Sequence, residues 1–251
     1  MTSISRDPGL WLRHFNETGG DGPRLICFPH AGGSATYYFP VARTLSPGIE
    51  VVAVQYPGRQ ERRGEPCVDD IGRLADHIVD ALGSPSERPT ALFGHSMGAT
   101  IAFEVARRLE RADAGPVALF ASGRRAPSCV REENVHLRDD GSVLAELQRL
   151  GGTNATLLAD NDIRTMILPA MRGDYRAIET YRWEPGPPLR CPIVALVGDV
   201  DPQVSTAEAQ AWAEHTAAEF TLRTYQGGHF YLDVHAASVL REITDRLTPV
   251  R

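Results

Sequence analysis

Thr90-Ala91-Leu92-Phe93-Gly94-His95-Ser96-Met97-Gly98-Ala99-Thr100-Ile101 reads as a strand that breaks at a glycine, turns sharply and leaves as a helix. Thr90–Phe93 is a short apolar run of the buried-strand kind. From Met97 to about Leu109, Ile101, Ala102, Val105, Ala106 and Leu109 recur at helical spacing. Between the two lies the G-x-S-x-G pentapeptide Gly94–Gly98. A nucleophile elbow needs these three parts: a strand, an abrupt turn that holds the serine in a strained conformation, and a helix. Flanking glycines let neighbouring backbone pass without a Cβ clash. The pentapeptide alone arises by chance, and its strand and helix make it specific.

Outward from this point the same alternation continues. Strand-like runs lie at Arg24–Phe28, Glu50–Gln55, Thr90–Phe93, Val117–Ala121, Ile193–Val197 and Phe220–Thr224, each followed by a Gly- or Pro-rich turn. Helical spacing runs from Ile71 to Leu82, with Asp69 and Asp70 suited to its N-terminal end. The pattern predicts an α/β fold with a mostly parallel central sheet and helices on both faces. The stretch from about 126 to 188 breaks the alternation, being helix-like and charged, and is expected to be a lid insertion within one domain spanning 1–251. Its expected pieces are Ser142–Leu150 ended by Gly151-Gly152, Asp162–Met171 and Tyr175–Tyr181, with Pro169 bending or dividing the middle helix. Such an insertion would sit over the C-terminal edge of the sheet, where open α/β folds bind ligands.

Composition narrows the chemistry. The 251 residues are 42% hydrophobic and 23% charged, enough for one real core, and all 26 basic residues are arginine. Without lysine there is no Schiff base, no Walker A phosphate contact, no kinase strand lysine and no Ser-Lys dyad. A net charge of −6 argues against nucleic-acid binding. Arg62-Arg63, Arg107-Arg108 and Arg124-Arg125 read as solvated faces. The four cysteines form no C-x-x-C pair, so no metal site, redox motif or cofactor is expected. Met1–Phe15 has no apolar h-region and no segment is long enough to span a membrane, so a cytoplasmic protein is expected.

An elbow serine needs a base, and Gly227-Gly228-His229-Phe230, after the last strand and before the last helix, supplies His229. His14, His77, His136, His215 and His235 read as surface or packing residues, and His95 as packing beneath the elbow. The acid comes from Gly198-Asp199-Val200-Asp201-Pro202. Asp201 is preferred because the Asp-Pro step fixes a turn after it, whereas Asp199 can cap that turn. Asp201 would hold His229 in the tautomer that accepts from Ser96. The backbone N–H of Met97 supplies one oxyanion donor. The loop Phe28-Pro29-His30-Ala31-Gly32-Gly33 offers a second, at Ala31. His30 either shapes that loop or touches substrate, and Leu168, Tyr175 and Met97 either border an acyl channel or simply pack.

Trp11–Phe15, Phe28–Gly33, Tyr56-Pro57-Gly58-Arg59, Phe93–Ala99, Phe103-Glu104, Ser122-Gly123-Arg124 with Ala126-Pro127, Leu168-Pro169 and Gly227–Phe230 together resemble the stand-alone type II thioesterases of polyketide and nonribosomal peptide synthetase systems. The resemblance covers nearly the whole chain. It implies an α/β-hydrolase fold with a helical lid. It also implies hydrolysis of acyl groups from the phosphopantetheine thiol of acyl- or peptidyl-carrier proteins, as an editor of stalled or misprimed chains. The family's triad and oxyanion positions fall on Ser96, Asp201, His229, Ala31 and Met97. Met171-Arg172-Gly173-Asp174 departs from the family's usual Arg-Ala-Asp, and Gly173 is expected to loosen that helix by up to ~1 kcal/mol relative to Ala. An adhesion reading of Arg-Gly-Asp is rejected, because the triplet lies within the lid. A monomer is expected. The competing readings are a general carboxylesterase or acyltransferase on the same triad and, from another class, a non-catalytic protein that binds acyl ligands or carrier proteins.

Overall fold

Seven strands form one sheet in the order β1-β3-β2-β4-β5-β6-β7 in the computed structural model, which describes residues 3–16, 22–84, 88–151 and 160–248. The strands are β1 (Leu12–His14), β2 (Arg24–Phe28), β3 (Glu50–Val54), β4 (Thr90–His95), β5 (Ala118–Ser122), β6 (Ile193–Gly198) and β7 (Phe220–Tyr225). All neighbours pair in parallel except β1 with β3, which is antiparallel. β3, β5 and β6 are buried at every residue, as strands covered on both faces must be, and Val51–Val54, Ala118–Ala121 and Ile193–Val197 within them read as unbroken apolar runs for that reason.

The pleat sends alternate side chains into two cores. Ile26, Phe28, Leu92, Leu119 and Ile193 join Ile71–Leu82 and Met97–Arg111 on one face. Leu25, Cys27, Ala91, Phe93, Phe120 and Val194 meet Phe39–Leu45 and Leu232–Leu247 on the other. Asp70 caps Ile71–Leu82 by accepting from Arg73 N–H at 2.7 Å, which fixes where that helix begins.

Three expectations need correction. The edge strand β1 is absent from the sequence reading, since three residues give no period to detect. The arginine pairs are not simply solvated faces: Arg62, Arg107 and Arg125 are buried. Arg62 lies 4.2 Å from the Trp11 ring centroid, donates to Gln55 O at 2.8 Å and forks onto Glu65 at 2.9 and 2.8 Å. The planar, weakly hydrated guanidinium makes such burial tolerable where an ammonium would leave donors unmet.

The lid is the third. Among the described residues, Asp140–Leu150 is followed by one continuous helix, Asn161–Thr180, where the sequence predicts two pieces, with Pro169 inside it. Ala170, Met171, Asp174, Tyr175, Ala177 and Ile178 are buried along one side, and this packing holds the helix together across the missing N–H. Gly151 ends the preceding helix in the left-handed conformation, and Gly152 lies outside the described residues. Gly173 lies inside this continuous helix. A Cβ there would lie 2.8 Å from Cys67 Cβ, so the glycine allows the lid to approach the body.

Candidate active site

Ser96 stands between β4 and Met97–Arg111 with φ 55° and ψ −121°, a conformation costing of order 1–3 kcal/mol in a residue with a side chain. The surroundings hold it there. Its N–H donates to Ser122 O at 2.8 Å, anchoring the turn to the end of β5. Gly94 and Gly98 leave no room for side chains: a Cβ on Gly94 would come 2.5 Å from Ala99 Cα, and one on Gly98 would come 2.7 Å from Pro29 O.

His229 sits in the loop after β7 and is 2% exposed. Its Nδ1 lies 2.9 Å from Asp201 Oδ2 and 3.1 Å from Oδ1. Nδ1–H donates to this carboxylate, which leaves Nε2 as the acceptor of the neutral ring. Asp201 Oδ1 also accepts from Gln203 N–H at 2.8 Å. The exposed Asp199 instead accepts from Gly227 N–H at 2.8 Å, fastening the histidine loop to the end of β6. Of the two carboxylates, Asp201 therefore addresses the imidazole and Asp199 the backbone.

Ser96, His229, Ala31, Met97, His30 and Tyr175 line one cavity of about 420 Å³ between the strand ends and the lid. Among the described residues neither Ala31 N–H nor Met97 N–H donates to a protein acceptor. Met97 is the first residue of its helix, where an N–H has no partner in the preceding turn. Leu168 packs into the apolar cluster of the lid, while Ile167, one residue earlier, lines the cavity. That one-residue difference is a rotation of about 100° on a helix.

The other polar groups settle around this frame. His95 is fully buried, with Nδ1 at 2.9 Å from Ser122 Oγ, which in turn lies 2.6 Å from Tyr231 OH. Burial, with His229 and His30 nearby, holds the His95 imidazole well below its ordinary pKa, so it stays neutral. Its ring is tilted against that of His229, centroids 5.0 Å apart. It packs beneath the elbow, but as a hydrogen-bonded support rather than as filler. His30 is wedged edge-on against Tyr37 and Phe230, with its pKa lowered to about 3 by burial and then by His229 and Arg59. Burial raises all four cysteine thiols, so none is an activated nucleophile. No cluster of His, Cys, Asp or Glu among the described residues could hold a metal ion, and no helix among them is long and apolar enough to cross a membrane.

Two residues absent from the sequence reading of the site lie at its margin. Asp174, on the lid helix, and Arg59 form a buried two-pronged ion pair at 2.6 and 2.7 Å. Burial alone would lower the Arg59 pKa, but the charge and hydrogen bonds of Asp174 raise it. Both sit in stretches compared with the family, Tyr56–Arg59 and Met171–Asp174, and that resemblance was the available signal.

The thioesterase domain family matches residues 23–247. A probable cadicidin biosynthesis thioesterase of Streptomyces griseus is 53% identical over 251 residues, covering 100% of this chain and 70% of that protein. Thioesterase PikA5 of Streptomyces venezuelae is 46% identical over 251 residues, covering 99% of this chain and 89% of its own length. Among solved structures, the type II thioesterase BorB from the borrelidin biosynthetic cluster superimposes with a TM-score of 0.90 at 51% identity, covering 98% of this chain and 99% of that one.

Proposed function

The chain belongs to the thioesterase family, and from that premise we propose that it releases acyl groups from the phosphopantetheine thiol of acyl- or peptidyl-carrier proteins, clearing stalled or misprimed chains. The observation that carries the reading is the convergence of three features on one cavity: the strained Ser96, the His229–Asp201 pair and two uncommitted backbone donors. In the proposed reaction Ser96 Oγ attacks the thioester carbonyl carbon as its proton passes to His229 Nε2. Ala31 N–H and Met97 N–H receive the oxyanion, a contribution of about 10²–10³ in rate per donor.

The C–S bond then breaks and the thiol leaves with the proton from His229. Water, deprotonated by the same nitrogen, attacks the acyl-serine, and collapse of that second tetrahedral intermediate frees the acid and restores Ser96. Asp201 stabilises the imidazolium without taking its proton. Ile163, Ile167, Met171 and Leu147 give the cavity an apolar wall suited to the acyl chain. The proposal puts the enzyme in the cytoplasm, as a monomer, beside the carrier proteins it serves.

Intact-mass measurement of acyl-carrier proteins exposed to the enzyme tests this directly. Loss of the acyl mass with wild type, and its retention with Ser96→Ala, is the expected result. Equal turnover by Ser96→Ala would remove the serine mechanism, and a preference for simple oxygen esters with no gain from the carrier would remove the editing role.

A further inference from the structure

The loop that carries Ala31 is fastened from two sides. The body of the protein holds its first half: Tyr38 OH donates to Phe28 O at 2.9 Å, Tyr56 OH donates to Pro29 O at 3.1 Å, and Gly33 N–H closes a turn onto His30 O at 2.9 Å. The lid holds the rest. Asp174, 1% exposed on Asn161–Thr180, accepts from Gly32 N–H at 2.7 Å through the same Oδ2 that receives Arg59 Nη1. Arg59 Nη1 also donates to Gly33 O at 3.1 Å. One turn earlier on the lid helix, Met171 sets its sulfur against Gly32 so closely that any Cβ there would overlap it. Two separate lid contacts thus converge on the residue next to the oxyanion donor.

We propose that Asp174 and Arg59 are positioning residues that couple the seating of the lid helix to the oxyanion hole. With the helix docked, the Asp174 carboxylate fixes the Gly32 peptide and thereby the direction of the adjoining Ala31 N–H. With the helix lifted, that donor loses its alignment. This deepens the reading of Ser96 and Ala31 given above and rests on it.

Stability alone does not explain the pair. A fully buried salt bridge often contributes nothing over an apolar replacement of the same size, because desolvation cancels the attraction. What an apolar pair could not do is accept the Gly32 N–H. The arrangement makes an acyl chain that packs against Ile167, Met171 and Tyr175 an aid to catalysis as well as to binding: by seating the lid it completes the hole. Its binding energy then shows as a higher kcat rather than a lower KM.

Steady-state hydrolysis of an acyl thioester by Asp174→Leu, Arg59→Lys and the double variant Asp174→Leu with Arg59→Met, beside Ser96→Ala, tests the coupling, leucine having no atom that could accept the Gly32 N–H. Misplacement of a reacting contact by an ångström costs up to about 10²-fold, so kcat should fall about 10- to 100-fold with KM within about twofold. Affinity for an alkyl boronic acid, which forms a tetrahedral anion on Ser96, should weaken by the same factor. The double variant should still fold cooperatively, its melting temperature lowered only by the unpaired Gly32 N–H and Gly33 O, and still lose kcat, which separates misalignment from misfolding. A folded variant with normal kcat and normal boronate affinity would overturn the coupling. Hydrogen exchange of the unmodified protein in sub-denaturing urea gives a second test: the Gly32 amide and the lid amides around Asp174 should open together, and independent opening would also overturn it. If Ser96→Ala is as active as wild type, the catalytic reading itself falls. If Ser96→Ala is dead while the folded double variant is fully active, only the coupling falls.

Discussion

Replacing Asp201 by Asn tests the acid assignment most sharply when set beside Asp199→Asn, because the two carboxylates leave one strand end and take different partners. Asp201 approaches His229 Nδ1 at 2.9 and 3.1 Å, and both side chains are essentially buried, at 0% and 2% exposure. An amide there presents either an oxygen or an NH₂ to Nδ1. With the NH₂ inward, the ring must move its proton to Nε2 and can no longer accept from Ser96. With the oxygen inward, the tautomer survives but the imidazolium formed in both half-reactions loses its counter-charge. The same change in a serine protease triad costs about 10⁴ in kcat, or about 5.4 kcal/mol at 1.36 kcal/mol per tenfold. A thiol leaves more readily than an amine, but the base is needed twice, so a loss of about 10³–10⁴ is expected here.

Asp199→Asn keeps an oxygen for the Gly227 N–H and lies in an exposed turn, so its cost should stay within about 1 kcal/mol of stability and tenfold in rate. The assay is thiol release from an acyl N-acetylcysteamine thioester at saturating substrate, with melting temperatures as the folding control. A larger loss in Asp199→Asn than in Asp201→Asn, or an Asp201→Asn rate within tenfold of wild type, would refute the assignment.

Three further outcomes follow from particular contacts. His215, 3% exposed and 2.9 Å from Ser128 Oγ, has its pKa lowered to about 4 by burial and then by Arg107. The unfolded chain takes up this proton below about 6.5, so the contribution of His215 is complete above that value and shrinks as pH falls towards 4, by up to about 1.4 kcal/mol per pH unit. Urea unfolding of His215→Gln between pH 7.5 and 4.5 should show a flatter decline than wild type, and an identical slope would refute the point. Gly173→Ala adds a Cβ 2.8 Å from Cys67 Cβ, and the overpacking, typically 1–3 kcal/mol, should exceed the helix-propensity gain of at most about 1 kcal/mol. Its melting temperature should fall, a second change of Cys67→Gly should restore it, and a rise on Gly173→Ala alone would contradict the packing argument. Ile167→Trp fills the cavity whereas Leu168→Ala leaves its wall intact. The first should reduce kcat/KM for long acyl chains at least tenfold more than for acetyl, the second should not change that ratio, and the reverse result would mean the register of the lid is wrong.

Much of the fold was legible because its signals are local. β2 occupies Arg24–Phe28 and a covering helix Ile71–Leu82, as the apolar runs and the Asp70 cap indicate, since strand and helix periods are written into five to twelve consecutive residues. The elbow is legible for the same reason: strand, strained serine, glycines and helix are consecutive. The edge strand β1 escaped because its evidence is its pairing with Val52–Val54 of β3, not its own three residues. Pro169 misled because the rule that proline ends a helix concerns one missing hydrogen bond, and a row of buried lid contacts outweighs it.

Contact across long sequence separation is where sequence reasoning loses its hold on the site. His229 and Asp201 could be paired because loops after adjacent parallel strands, β6 and β7, must lie together. Asp174 is 142 residues from Gly32 and 115 from Arg59, and although its stretch resembles a family motif, no periodicity or spacing in the sequence names these partners. Arg62, Arg107 and Arg125 likewise read as solvent-facing because arginine is polar by count, while their burial depends on a ring or carboxylate supplied by the folded chain. In a protein whose 26 basic residues are all arginine, this matters twice. A planar fork can satisfy a carboxylate and a backbone carbonyl at once, as Arg59 does with Asp174 and Gly33, and an ammonium at that position could not keep the same two-pronged geometry. The lid can therefore be tied to the Phe28–Gly33 loop through a buried charge without leaving a donor unmet, which is the condition under which such a tie is tolerable at all.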